Sequence, residues 1–118
     1  MRIDQVVDIL SAEILSCSDK LEEEVFRACA SDMMSDVLAF ASDNSLLLTG
    51  LMNQQVIRTA EMKDILCVCF VRGKQPDRAT LELAQGKGIV VIRTEYLLFE
   101  ASGRLFAAGL MGKDSRDG

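Results

Sequence analysis

Arg72 and Lys74 are the side chains of this sequence best suited to meet an anion, and Thr49, Gly50, Gly73 and Thr94 are the residues that would shape the place. They fall in three short segments: Thr49-Gly50, Arg72-Gly73-Lys74 and Thr94. A guanidinium and an ammonium supply charge and hydrogen-bond donors. A glycine lets the backbone come close to a phosphate. Each segment directly follows an apolar run, and this places all three at one end of the strands those runs would form. The same residues also serve as turn chemistry, with glycines for tight loops and the cations solvated. No G-x-x-x-x-G-K-S/T or G-x-G-x-x-G fingerprint is present. Gly86-Lys87-Gly88 follows a helical pattern instead of a strand, the wrong context for a phosphate loop.

Other chemistries are thinner. The chain has no histidine, so histidine bases, triads and metal ligands drop out. Cys17, Cys29, Cys67 and Cys69 could in principle supply thiolates to a metal, but only one close pair, Cys67-x-Cys69, exists. That pair lies in the most apolar run with both side chains on one face, which suits buried thiols better. No metal and no cofactor is expected. Asp32, Asp36, Glu95 and Glu100 are the candidate carboxylates. None is spaced for acid–base work, and Asp32 reads as a helix cap. The run Glu22-Glu23-Glu24 reads as a solvated turn. Met33, Met34 and Met62 read mostly as core filling, whereas Leu51-Met52 reads as an exposed apolar pair suited to a dimer interface.

The elements that would position the anion site are three continuous apolar runs: Leu46-Leu47-Leu48, residues 65–71, and Ile89-Val90-Val91-Ile92. Continuous apolarity marks strands of a parallel sheet covered on both faces. Residues 53–64 and 76–87 between them are each long enough for one crossover helix, giving two βαβ units. Ligands in such sheets bind beyond the carboxyl ends of the strands. Asn53 is expected to cap the first crossover helix. Pro76 is placed at the first position of the second, with Asp77 in its first turn. Earlier in the chain, Ile3, Val6, Val7 and Leu10 mark an amphipathic helix. Short strands are expected at 13–16 and 24–30, the latter near a sheet edge. Ser31 and Asp32 would cap a helix through Ala41. Thr94 would cap the last helix with Glu95 in its first turn, and Leu98, Ala101, Leu105 and Ala108 would form its inner stripe.

The 118 residues carry 26% charged and 49% apolar side chains, enough for one domain over 1–110 with a disordered polar tail at 111–118. The net charge of −5 disfavours nucleic acid and anionic membrane surfaces as partners. No apolar run approaches the roughly 20 residues that cross a bilayer. Met1-Arg2-Ile3-Asp4 is not signal-like, so the expected location is cytoplasmic.

Leu48-Thr49-Gly50, Arg72-Gly73-Lys74-Gln75-Pro76, Leu83-Ala84, the segment Gly88-Ile89-Val90-Val91-Ile92-Arg93-Thr94 and Ser31-Asp32-Met33-Met34 together resemble the DRTGG domain family, over about residues 1–108. The family is related to the N-terminal domain of HPr kinase/phosphatase. The resemblance implies a three-layer α/β/α fold with a mostly parallel sheet and no kinase domain. It also implies a frequent homodimer. Relatives sit beside CBS domains in a pyrophosphatase family regulated by adenine nucleotides, and others stand alone, some encoded near iron-only hydrogenases. This sequence departs from the family pattern at Leu51-Met52 in place of Asp-Arg, Val71-Arg72-Gly73 in place of Thr-Gly-Gly, and Leu97-Leu98 in place of Asp-Thr.

The reading that follows is a non-enzymatic regulatory domain, a homodimer that senses an adenine nucleotide or other small anion at Thr49, Gly50, Arg72, Gly73, Lys74 and Thr94. The alternative is an interaction or accessory module, for example in a redox or hydrogenase system, with a protein partner and no small ligand.

Overall fold

The computed structural model describes residues 1–113. Its elements run α1 (Ile3–Leu10), β1 (Glu13–Ile14), β2 (Arg27–Ala30), α2 (Met34–Phe40), β3 (Ser45–Thr49), α3 (Gln54–Met62), β4 (Cys67–Phe70), α4 (Arg78–Lys87), β5 (Val90–Arg93) and α5 (Leu98–Ala107). One five-stranded sheet has the order β1-β5-β4-β3-β2. Strands β2 to β5 are parallel, with Leu47 opposite Val68 and Val68 opposite Val91. Only β1 is antiparallel, with Glu13 opposite Arg93.

The three apolar runs are the three central strands, and their alternate side chains feed two different cores. Leu46, Leu48, Cys67, Cys69, Val90 and Ile92 pack with Ile3, Val6 and Leu10 of α1 and Ala101 and Leu105 of α5. Leu47, Val68, Phe70 and Val91 face the other way, onto Met34 and Val37 of α2, Val56, Ile57 and Ala60 of α3, and Ala84 of α4. The result is a three-layer α/β/α fold. β3 and β4 are buried along their whole length, and β5 up to the half-buried Arg93, because both faces are covered.

Several boundaries differ from the sequence expectation, each for a local reason. Asp77 is the cap of α4 and not a first-turn residue: its carboxylate accepts from the Thr80 amide at 2.8 Å, and Pro76 stands one place before it. These bonds from Thr80 hold the Asp77 carboxyl below its ordinary range. Asn53 caps α3 as expected, accepting from Val56 N. Neither Ser31 nor Asp32 caps α2, whose cap position is Met33. Ser31 Oγ accepts from Met33 N, and Asp32 turns toward β3. Thr94 does not cap α5. That helix starts four residues later with Leu97 at the cap, so Glu95 lies outside its first turn. Leu110 is buried in place of the expected Ala108, which is exposed. The strand expected at 24–30 is ordered into the sheet only from Arg27 and does form one edge.

Among the methionines only Met34 of the three expected core fillers is buried. Met33 and Met62 are exposed. Leu51 and Met52 are half-buried against the α2–α3–α4 core. Of the expected tail, residues 114–118 lie outside the described residues. Its start runs along the outer side of β2, where Ala28 N donates to Met111 O and Arg27 donates to Gly112 O.

Candidate functional site

Gly50 is the first residue past β3, and three charged side chains converge on it. The Asp32 carboxylate accepts from its N–H at 2.7 Å. Lys74 Nζ donates to its carbonyl at 3.2 Å. The Arg72 guanidinium lies over its Cα, so that a Cβ there would sit 2.8 Å from Arg72 Nη2. The glycine lets the guanidinium lie this close; a Cβ would push the flexible end of Arg72 aside.

The loop after β4 supplies both cations because it doubles back on itself. Arg72 and Gly73 both have positive φ, 63° and 64°. Lys74 N closes the turn onto Val71 O. Two consecutive left-handed residues are the signature of a primed turn, and a non-glycine there is uncommon. Arg72 is held in it by two backbone bonds: its N–H donates to Tyr96 O at 2.9 Å, and the Gly73 N–H donates to Thr94 O at 2.8 Å. These amides face the β5–α5 loop, so they are not an anion nest. The turn instead projects Arg72 into solvent and leaves Lys74 half-buried.

The two threonines turn inward. Thr94 is buried; its hydroxyl donates to Leu10 O at the end of α1 and accepts from Tyr96 N. Thr49 is also buried, donating to Asp32 at 3.2 Å and accepting from Leu51 N. Of the six residues singled out from sequence, Thr49, Gly50, Arg72, Gly73 and Lys74 meet around two adjacent strand ends, whereas the Thr94 side chain points to the opposite core. Sequence reasoning named Asp32 but gave it the wrong task, and it missed what Glu95 and Arg93 do. The Glu95 carboxylate occupies the space where a Cβ on Gly73 would be. Arg93 donates to Gly73 O and pairs with Glu13 across β1–β5. Asp32 is 18 residues from Gly50, and only the β2–β3 pairing brings them together.

Among the described residues, no carboxylate lies within 4.0 Å of the Arg72 or Lys74 nitrogens. The cysteines lie elsewhere. Cys67 and Cys69 share one face of β4 and are fully buried. Burial drives the Cys67 thiol well above its ordinary value and Cys69 to about 12, and pushes Cys17 and Cys29 up as well. Such thiols stay protonated and behave as small apolar groups. Among the described residues no three Cys, Asp or Glu side chains gather as a metal would need, and no helix is long and apolar enough to cross a membrane.

The family model of the DRTGG domain matches residues 5–108. The chain belongs to the DRTGG domain family. Its fold is similar to a crystal structure of the CBS and DRTGG domains of the regulatory region of Clostridium perfringens pyrophosphatase, complexed with the activator diadenosine tetraphosphate. The TM-score is 0.74 at 22% identity, covering 97% of this chain and 51% of that one. The chain thus spans about half the length of that solved structure. Comparison with curated proteins finds no match. The resemblance drawn from the short motifs therefore holds for family and fold, and the departures at Leu51-Met52, Arg72-Gly73 and Leu97-Leu98 leave this DRTGG fold intact.

Proposed function

We propose that this DRTGG domain is a non-enzymatic regulatory module that receives a small anionic ligand, such as the phosphates of an adenine nucleotide, at the carboxyl edge of its sheet. The observation that carries the reading is the convergence of Arg72 and Lys74 on the Gly50 peptide with no carboxylate of the described residues in ion-pair range of either. Two unneutralised cations beside a backbone with no Cβ suit a phosphate group. The edge also lies where parallel sheets take their ligands. The activator bound to the pyrophosphatase neighbour is a dinucleoside polyphosphate, and this favours the same chemical class here. Binding would bias the two loops that Arg72 and Asp32 stand on, and so shift the population that a partner reads. The reading places the protein in the cytoplasm, where such nucleotides are abundant.

The test is thermal denaturation with pyrophosphate, ADP, ATP and diadenosine tetraphosphate. A ligand at 100 times its dissociation constant adds about 2.7 kcal/mol, a shift on the order of 10 °C for a domain of this size. Arg72→Ala and Lys74→Ala should remove that shift. No shift with any of the four compounds overturns the reading.

A second reading, an interaction module, is favoured by one observation. On α5, Phe99 is 91% exposed and Phe106 60%, with Gly103 and Ala107 beside them on the outward face. Large exposed aromatics on one helix face suit a protein contact. We assign it to a second copy of the chain, forming a homodimer. Sedimentation velocity of the wild type and Phe99→Asp tests this: a monomer in the wild type removes it.

A further inference from the structure

We propose that Asp32 is an internal occupant of the anion site and that an incoming phosphate displaces it. This rests on the anion reading above and adds a gate to that site. Asp32 Oδ1 accepts from two adjacent donors, Gly50 N–H at 2.7 Å and Thr49 Oγ1–H at 3.2 Å. An amide and a hydroxyl side by side, with a guanidinium and an ammonium on the same glycine, are the donor set a phosphate oxygen needs. A carboxylate oxygen already holds the first two.

The contact is built to be broken. Asp32 is exposed and stands in the loop between β2 and α2. Among the described residues it is bonded to no side chain but Thr49, and the α2 cap at Met33 carries no side-chain bond that its departure would disturb. If it swings away, Thr49 keeps its bond from Leu51 N, so the hydroxyl remains aimed at the vacated place. Arg72, Lys74, Arg93 and Glu95 are the other charges at this edge. None of these cations is paired with Asp32, so its departure leaves no broken ion pair behind.

The consequence is thermodynamic. A site closed by its own carboxylate binds with an affinity reduced by the fraction of molecules in which it is open. The ligand signal is then movement of the β2–α2 loop. Regulation comes from exchange of one anion for another at fixed donors, without rearrangement of the sheet.

The experiment is calorimetric titration of the whole chain with inorganic pyrophosphate, with backbone amide spectra recorded in parallel. Asp32→Asn keeps an oxygen acceptor and removes the charge, and should bind pyrophosphate about tenfold more tightly than the wild type. Asp36→Asn removes a charge four residues on that does not touch Gly50, and should change affinity less than twofold. In the wild type, the amides of Gly50 and of Ser31 to Met33 should shift with the same dissociation constant. If binding depends on Arg72 but Asp32→Asn binds no more tightly than Asp36→Asn, the gate is wrong and the anion site stands. If neither the wild type nor Asp32→Asn shows Arg72-dependent binding, both fall. Should Asp32→Asn fail to fold by circular dichroism, the wild-type spectra decide: loop amides that stay still while Gly50 shifts overturn the gate.

Discussion

The carboxyl edge of the sheet and the outward face of α5 treat their exposed chemistry in opposite ways. At the edge nearly every polar group has an internal partner. Thr94 holds the end of α1, Asp32 holds Gly50 and Thr49, Lys74 holds the Gly50 carbonyl, and the Arg72 and Gly73 amides hold the β5–α5 loop. On α5, Phe99 and Phe106 are largely exposed. The edge is thus a bonded network, in which one change disturbs several elements. The α5 face carries two exposed aromatics beside the Glu100–Arg104 ion pair, and removing the aromatics costs the monomer little. A region that is stiff and polar suits recognition of a small charged group, and one that is apolar and loosely held suits contact with a protein.

That contrast can be broken by substitution, and the largest effect is expected at Thr94. Thr94→Val leaves the Leu10 carbonyl and the Tyr96 amide without their partner in a buried place, and should cost about 2 kcal/mol in a urea denaturation. A loss of only a few tenths would mean that the edge is not a network. Next comes Gly73→Ala. It puts a Cβ at positive φ and against the Glu95 carboxylate, and should cost about 1–2 kcal/mol in the same measurement.

Cys69 gives a pH signature of the core beneath the edge. Its folded value of about 12 lies above the ordinary thiol value of 9.0, so the unfolded chain loses this proton first. Stability from this thiol is intact below pH 9 and falls between pH 9 and 12, by roughly 1 kcal/mol per pH unit. Cys69→Ala should flatten that decline relative to the wild type when stability is followed from pH 8 to 10.5. An unchanged slope would show that the thiol is not shielded in the folded chain.

The smallest stability effects separate function from folding. Arg72→Gly relieves a non-glycine positive φ, and should leave stability within about 1 kcal/mol while abolishing any pyrophosphate-induced shift. Phe99→Ser should move monomer stability by no more than about 0.5 kcal/mol, yet weaken self-association in sedimentation. A large loss of monomer stability with Phe99→Ser would erase the difference between the two regions.

The central architecture was legible from residue types alone. Continuous apolar runs at 46–48, 65–71 and 89–92 can be buried only if both faces of a sheet are covered, and this dictates parallel strands, crossover helices and three layers. The cap at Asn53 was legible because it is local chemistry that the chain settles within a few residues. Arg72-Gly73-Lys74 at a strand end was likewise readable as a loop that places cations.

What the sequence could not decide is where side chains with two local uses are spent. Asp32 and Thr94 are both good caps in isolation. Each abandons its helix because a partner distant in sequence, Gly50 for Asp32 and Leu10 for Thr94, offers a buried or charge-assisted bond once β2 pairs with β3 and α1 packs beside α5. A cap competes with water at an exposed helix end, whereas an unpaired buried amide or carbonyl has no alternative donor or acceptor, so the distant bond wins. The sequence by itself determined which elements exist and in what order. Only the tertiary structure decided that Gly50 would be the meeting point of Asp32, Arg72 and Lys74, because that encounter depends on strand order, and strand order is a property of the assembled sheet.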